Sequence, residues 1–349
     1  MAEIDIRTIA VTAPFKTVVM PLRTPELSGR EVLVKVHAVA LCTLEQRIFK
    51  GEVRMPLPCT GGHEVSGEIC LTGPKVNGKL WKAGDRVAVR LLYNCGECNQ
   101  CRNGRGNLCE HAQRKPVRDG LLPGPGGLCD YVIVNSDALF SIPDSLPYEQ
   151  AALSEPLACV VHSIERAGIN LADDVLVMGG GVMGQFHVML AKLRGARVTI
   201  CDPYPSRRKF AIRHGADFAL DPASPDLASR LSGITGGRGA DIVFNTAPVP
   251  SAFAQALSMT AKGGKMIQYS SLHPDEPVPV SPQAIHNGEI TISGSISPEV
   301  KDFHKAVRLL SSGLVDCSDM ISGTFPFASA QNAFEAAVKP ESFRIIITD

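Results

Sequence analysis

Four cysteines that could bind a metal lie in one short segment, at Cys95, Cys98, Cys101 and Cys109. Two, two and seven residues separate them. Four thiolates can close a tetrahedron around zinc and leave no open position, so a site of this kind stabilises structure and takes no part in catalysis. An iron–sulfur cluster uses the same ligands and is the main alternative, although nothing nearby suggests electron transfer. The spacing therefore predicts a structural zinc.

A second, catalytic zinc would keep about three protein ligands and one open position for water or substrate. The residues that could form it are Cys42 in ALCTLEQ, His63 and Glu64 in GGHEVSG, and Glu155 in LSEPLA. For each one alone, a buried small side chain, a loop histidine or a solvated charge is the better explanation. Gly61 and Gly62 leave the backbone around His63 uncrowded. Together these residues predict a catalytic zinc beside a cleft between two domains.

A glycine-rich turn follows the apolar stretch 174–178. It satisfies the G-x-G-x-x-G pattern, with the glycines at Gly179, Gly181 and Gly184 and with Val182 and Met183 between them. The first glycine permits the tight turn, the second lets a pyrophosphate approach the backbone, and the third lets the helix pack on the strand. The pattern predicts that these five residues bind a dinucleotide.

An acid follows the next predicted strand, 197–201, at Asp202. It lies about twenty residues beyond the glycines, as in sites where a carboxylate binds the adenosine 2′-hydroxyl and repels a 2′-phosphate. Asp202 therefore predicts NAD in preference to NADP. Arg207 and Arg208 are close enough to oppose that preference, and Arg207 is a candidate cofactor-binding residue; alternatively the two arginines only cap and solvate the next helix.

The elements that would position these residues differ between the two parts of the chain. Short strands dominate the first part and indicate a barrel-like β domain. From about Leu157 strands and helices alternate, which predicts a doubly wound parallel sheet. The predicted strands are 31–39, 65–70, 85–90, 129–134, 174–178, 197–201, 241–245, 265–270, 289–294 and 343–348, and the predicted helices are 183–194, 205–214, 252–260 and 302–312. We expect the last strand to rejoin the first domain, and the Pro- and Gly-rich segment 121–127 to be a surface loop.

Length and charge limit the classes of function. The 349 residues suit two domains. Lys and Arg together number 35, as do Asp and Glu, so no global field draws the chain toward nucleic acid or anionic lipid. No apolar run is long enough to cross a bilayer, and residues 1–9 carry charges in place of a signal-peptide core. With eleven cysteines that favour metal binding over disulfides, these features predict a cytoplasmic protein with a small-molecule partner.

With both metal patterns and the glycine loop identified, the sequence resembles the zinc-dependent medium-chain dehydrogenases, the alcohol, sorbitol and threonine dehydrogenase family, over essentially its whole length. The resemblance implies an α/β protein. It assigns residues 157–296 to a Rossmann domain with a doubly wound parallel sheet, and 1–156 with 297–349 to a GroES-like β-barrel catalytic domain whose structural zinc lobe spans 95–109. It also implies catalytic and structural zinc, NAD, and a homodimer or homotetramer joined through the edge strand 289–294.

By motif, Cys42 and His63 match the first two catalytic zinc ligands of that family. Glu64 and Glu155 match the two acids that alternate as ligands, or hold water at the zinc, in the polyol branch. The four clustered cysteines match the structural lobe. The implied reaction is oxidation of an alcohol, polyol or sugar-derived substrate: zinc lowers the pKa of the hydroxyl, and NAD accepts the hydride.

The sequence departs from the family at two places. Where the family commonly reads Cys-Gly-Thr/Ser-Asp, this chain reads Cys42, Thr43, Leu44 and Glu45, so Leu44 replaces the hydroxyl that usually begins proton relay. Thr43 could substitute, or Glu64 and Glu155 could move the proton through water; alternatively Thr43 only packs. Threonine dehydrogenases typically carry an acid and a histidine before the cysteine lobe, where this chain has Arg90 and Leu92, which argues against threonine as the substrate.

Three other functions stay open at this point. A quinone-reductase-like enzyme of the same superfamily would lack the zinc ligands. An aldehyde dehydrogenase of the zinc family would share every motif. A non-catalytic NAD-binding protein would need no open zinc position.

Overall fold

The computed structural model describes residues 4–112 and 120–349; the first three residues of the charged segment 1–9 lie outside these ranges. Contacts divide the chain into two compact units, one of Met1–Ala158 with Glu299–Asp349 and one of Cys159–Pro298. The strands are β1 (Ile4–Ala13), β2 (Lys16–Thr24), β3 (Glu31–Ala40), β4 (Glu64–Thr72), β5 (Arg86–Arg90), β6 (Tyr131–Asn135), β7 (Leu139–Ser141), β8 (Asp174–Met178), β9 (Arg197–Cys201), β10 (Phe218–Leu220), β11 (Ala240–Asn245), β12 (Thr260–Gln268), β13 (Thr291–Gly294), β14 (Ile321–Pro326) and β15 (Arg344–Thr348). The α-helices are α1 (Thr43–Phe49), α2 (Asn99–Arg102), α3 (Tyr148–Ala152), α4 (Ser154–Ala167), α5 (Val182–Leu193), α6 (Pro205–Arg213), α7 (Leu227–Ile234), α8 (Pro250–Ser258), α9 (Pro282–Gly288), α10 (Val300–Ser311) and α11 (Ala330–Ala337).

A seven-stranded sheet forms the core of the first unit, in the order β14-β15-β3-β4-β5-β7, with β6 also paired to β3. The strands β3, β4 and β5 pair antiparallel. The Val-rich sequences of β3 and β5 bury most positions, as expected for strands that lie inside a closed or covered sheet. Near the C-terminus β15 pairs antiparallel with β3 and parallel with β14. This pairing places Arg344, at the start of β15, in the same sheet as β4, whose first residue is the predicted metal ligand Glu64.

The second unit contains a six-stranded parallel sheet in the order β10-β9-β8-β11-β12-β13. Its central strand β8 is buried along its whole length, because helices cover both faces of such a sheet. The order reverses at β8 and β11, so the loop after β8 lies where doubly wound sheets bind ligands. The predicted parallel sheet is confirmed, with β8 and β9 at the predicted residues.

Several predicted elements differ from the structure. Residues 121–127 are half-buried or buried, not exposed, because Gly124 lets the backbone pack against Thr60, whose carbonyl oxygen a Cβ would approach to 2.0 Å. Glu289, predicted to begin a strand, caps α9 with φ 48° instead, and β13 starts at Thr291. The strand β12 begins at Thr260, earlier than predicted. No helix among residues 4–112 and 120–349 is both long and apolar enough to span a bilayer.

Candidate active site

The predicted metal ligands Cys42, His63 and Glu64 come together in the first unit. One ligand atom from each lies within 4.8 Å of the others. Cys42 precedes α1 as its N-cap, Glu64 is the first residue of β4, and His63 directly precedes that strand. Gly62 makes the approach possible: its φ is +83°, and a Cβ there would lie 2.5 Å from the Leu128 nitrogen.

Glu45 organises this group, a role that the sequence analysis did not assign. Its Oε1 lies 3.0 Å from His63 Nδ1 and accepts a hydrogen bond from the Gly62 N–H, while Oε2 accepts one from the Cys42 N–H. A carboxylate on Nδ1 orients the imidazole and leaves Nε2 to the metal. The only signal in the sequence was an acid three residues after Cys42, a spacing typical of helix N-termini.

The electrostatics of the group favour a positive charge. Burial pulls the pKa of His63 down, but the Glu45 carboxylate and Cys42 outweigh it and hold that pKa well above its usual range. Burial acts in the opposite direction on Glu45 and raises its pKa, but His63 and the Gly62 N–H outweigh that effect and lower the pKa. The anionic surroundings therefore suit a cation, and a thiolate, an imidazole and a carboxylate are ligands that zinc accepts.

Arg344 forms a buried ion pair with Glu64. Its Nη2 and Nε lie 2.6 Å and 3.0 Å from the two carboxylate oxygens, and both side chains are almost fully buried. Burial tends to lower the pKa of Arg344, but Glu64 raises it well above the usual value, so the guanidinium stays charged. Burial raises the pKa of Glu64 to about 7 despite the opposing effect of Arg344. The two residues are 280 positions apart, so nothing local in the sequence indicated this pair.

Glu155 lies near the group without belonging to it. It stands in the first turn of α4 and is 5% exposed, and its charge acts on Glu64, whose pKa it raises further. Among the described residues it is not one of the three whose ligand atoms converge. The structure thus places Glu64 in the ligand group and Glu155 as a second acid beside it.

Leu44 and Thr43, the two residues of α1 that bear on proton relay, have different surroundings. Leu44 packs against the hydrophobic core of the first unit. Thr43, in the first turn of α1, is exposed. Leu44 therefore has a packing function that explains an apolar residue there.

The four clustered cysteines form a second metal-binding group. Their sulfurs all lie within 4.8 Å of one another, and Cys95 Sγ is 3.9 Å from Cys101 Sγ. A tetrahedral zinc with bonds of about 2.3 Å separates its sulfurs by about 3.8 Å, whereas a cluster of several irons holds its thiolates further apart. Backbone N–H groups of Cys101 and Glu110 lower the pKa of Cys98 to about 6, which favours the thiolate. The group fits a single tetrahedral ion.

The glycine loop in the second unit has the geometry its pattern predicted. Gly179 has φ +98°, and a Cβ on Gly184 would lie 1.8 Å from the Gly179 carbonyl oxygen, so the helix packs closely on the strand. A Cβ on Gly181 would meet no atom within 4 Å, so the backbone there is open to a ligand. The first α5 hydrogen bond runs from the Gln185 N–H to the Gly181 carbonyl. The N–H groups of Val182 and Met183 precede that ladder, as at helix ends that bind phosphate.

Asp202 holds the glycine loop in place. It is 2% exposed, and its carboxylate accepts hydrogen bonds from the N–H groups of Gly180 and Tyr204. Arg207 lies 3.8 Å from the same carboxylate and packs on the Tyr204 ring. Arg208 donates to the Asp202 carbonyl and to Asp221. Arg208 therefore makes hydrogen bonds that stabilise the fold, whereas Arg207 is the arginine closer to the Asp202 carboxylate.

Comparisons with known proteins match both units. Residues 182–312 match the family described as zinc-binding dehydrogenase, and residues 28–144 match the alcohol dehydrogenase GroES-like domain.

Individual proteins are similar over nearly the whole chain. D-arabitol-phosphate dehydrogenase from Enterococcus avium is 32% identical over 93% of this chain and 92% of its own. Sorbitol dehydrogenase from Bacillus subtilis is 32% identical with the same two coverages. A zinc-binding dehydrogenase from Sinorhizobium meliloti, solved with NADP bound, is 27% identical with a TM-score of 0.90, over 99% of this chain and 100% of its own.

Proposed function

Since the chain belongs to the zinc-dependent medium-chain dehydrogenase family, we propose that it transfers a hydride between a secondary alcohol, polyol or sugar-derived substrate and NAD(H). The observation that carries the proposal is the converging group of Cys42, His63 and Glu64, with the second acid Glu155 beside it. Relatives named for sorbitol and D-arabitol phosphate support a polyol or polyol derivative as the substrate.

Each residue of the group has a distinct part in the proposed reaction. Cys42, His63 and one of the two acids, Glu64 or Glu155, hold the catalytic zinc. When bound, zinc supplies a Lewis acid that lowers the pKa of the substrate hydroxyl. Glu45 keeps His63 oriented toward the metal. The acid that is not a ligand accepts the proton through water, a route that needs no hydroxyl at Leu44.

The second unit binds the dinucleotide. Residues 157–296 form the cofactor domain, and residues 1–156 together with 297–349 form the catalytic domain. The N–H groups of Val182 and Met183 and the open backbone at Gly181 bind the pyrophosphate. NAD supplies the hydride acceptor. Asp202 selects NAD because its buried carboxylate would repel a 2′-phosphate, while Arg207 beside it weakens that selection, and the Sinorhizobium protein was solved with NADP.

We also propose a cytoplasmic homodimer or homotetramer that binds neither nucleic acid nor membranes. All eleven cysteines fall within the described ranges, and none of them forms a disulfide, as suits a reducing compartment. Lys and Arg balance Asp and Glu. The strand β13 ends the parallel sheet as an edge that another copy could extend.

The test is an NADH-production screen over polyols, sugars, sugar derivatives, amino alcohols, aldehydes and primary alcohols, with NAD and NADP side by side. We expect turnover of one or more polyol-type substrates, faster with NAD. His63→Ala should remove turnover, whereas His286→Ala, a change at an exposed histidine, should retain it.

Turnover of threonine or an aldehyde alone would contradict the substrate class. Turnover by His63→Ala at the unmodified rate would contradict the proposed site.

A further inference from the structure

Arg90 is a buried cation at the edge of the candidate active site. It ends β5 and pairs across the sheet with Glu64 on β4. Residues paired in this way direct their side chains to the same face of a sheet. Arg90 therefore lies on the face that carries the ligand carboxylate, and only 7% of it is exposed.

The guanidinium of Arg90 has little compensation from the protein. Within the described residues its buried Nε has no hydrogen-bond partner, and one Nη donates to the Leu92 carbonyl at 3.2 Å. The carboxylates of Asp137 and Glu155 act on its charge, but no ion pair joins it to a described carboxylate. Glu64, the nearest acid by register, is already bound through both oxygens by Arg344. A buried charge without such compensation is costly, which indicates an anion supplied from outside the chain.

Glu155 connects Arg90 to the metal site. Its charge acts on Arg90 and also on Glu64, so the guanidinium and both candidate acids share one neighbourhood. Leu91 and Leu92 follow Arg90, and Leu91 packs on the hydrophobic core. Apolar surroundings strengthen a charge interaction relative to water. The planar guanidinium can bind a carboxylate or phosphate through two parallel hydrogen bonds.

We propose that Arg90 binds an anionic group of the substrate, so that the preferred substrates are acidic polyol derivatives, either aldonic acids or polyol phosphates. The inference rests on the proposed function and narrows its substrate class. Arg90 acts as a specificity residue: it binds the anionic end, while the hydroxyl to be oxidised lies at the group of Cys42, His63 and Glu64.

The test measures binding separately from turnover. Zinc-loaded protein with NADH is titrated calorimetrically with matched sets of four- to six-carbon polyols, the corresponding aldonates and the corresponding polyol phosphates. The unmodified protein should bind at least one anionic member about 10- to 100-fold more tightly than its neutral counterpart. Comparison of aldonate with phosphate identifies which anion the site takes.

Variants of Arg90 decide whether that preference depends on its charge. Arg90→Met should abolish the preference, measured as the ratio of the anionic to the neutral affinity, and Arg90→Lys should keep part of it. Arg23→Met removes an equal charge at a position whose side chain is 71% exposed and should change nothing. If Arg90→Met does not fold, as judged by circular dichroism, Arg90→Lys takes its place. A smaller preference for the anion in Arg90→Lys then supports the proposal, and an unchanged preference overturns it.

The proposal is overturned if no anion binds more tightly than its neutral counterpart, or if the preference survives in Arg90→Met. Failure of the proposed function is a different result: none of the panel would be oxidised, whatever Arg90 binds.

Discussion

The buried pair of Arg344 and Glu64 permits a quantitative prediction about how the C-terminal strand supports the active site. Arg344→Met removes a guanidinium that lies 2.6 Å and 3.0 Å from the two carboxylate oxygens. Loss of one partner leaves the other charge buried and unpaired, which costs about 3 to 5 kcal/mol. The same cost is expected for Glu64→Gln. The double variant removes both charges, so its cost should fall below the sum of the single costs by about 2 kcal/mol or more.

Urea unfolding followed by tryptophan fluorescence measures this energy in the relevant unit. Trp81 is the single tryptophan and packs against the core of the first unit, so its signal reports the unfolding of that unit. Arg23→Met, an exposed change of the same kind, should cost less than about 0.5 kcal/mol. The reasoning is refuted if Arg344→Met costs less than about 1 kcal/mol, or if the single costs simply add in the double variant.

Three further predictions concern single residues. Glu45→Ala should lower zinc affinity at the Cys42 and His63 site about 10- to 100-fold, measured by competition with a chelator, because the imidazole loses the carboxylate that orients it; unchanged affinity would contradict this role. Burial lowers the pKa of His187 to about 4, so the neutral imidazole contributes stability that is fully present above pH 6.5 and is lost as the pH falls toward 4, about 3 kcal/mol in all. His187→Gln should therefore reduce the loss of stability between pH 6.5 and pH 4 in a stability–pH profile. An unaltered profile would contradict this role of His187. Gly184→Ala should destabilise the second unit by about 1 to 3 kcal/mol and weaken NADH binding in calorimetry, since its Cβ would lie 1.8 Å from the Gly179 carbonyl oxygen; normal NADH binding would show that the helix can shift without affecting the loop.

Patterns with fixed local spacing were predicted well from the sequence. The glycine loop between β8 and α5 depends on residues within one turn of the chain, and the strand–turn–helix context was visible in the same stretch. The proximity of the four cysteines also follows from short spacing, because the chain cannot carry them far apart.

Contacts between distant segments could not be predicted in this way. Arg344 reaches Glu64 only because β15 joins the sheet beside β3, and its sequence surroundings are those of an ordinary strand. Residues 121–127 have the composition of an exposed loop, yet they pack against 60–62 because glycines permit close backbone approach. The resemblance indicated that Arg90 stands where threonine dehydrogenases carry an acid, but its burial and its unpartnered Nε are visible only in three dimensions.

The central claim is that two distinct zinc sites exist and that only one of them serves catalysis. Zinc content measured by mass spectrometry, with turnover and NADH binding on the same samples, tests it most directly. The account predicts two zinc ions per chain; Cys42→Ser should retain one, bind NADH and lose turnover, whereas Cys98→Ser should lose the other and unfold more easily. Two retained zinc ions and unchanged turnover in Cys42→Ser would contradict the account.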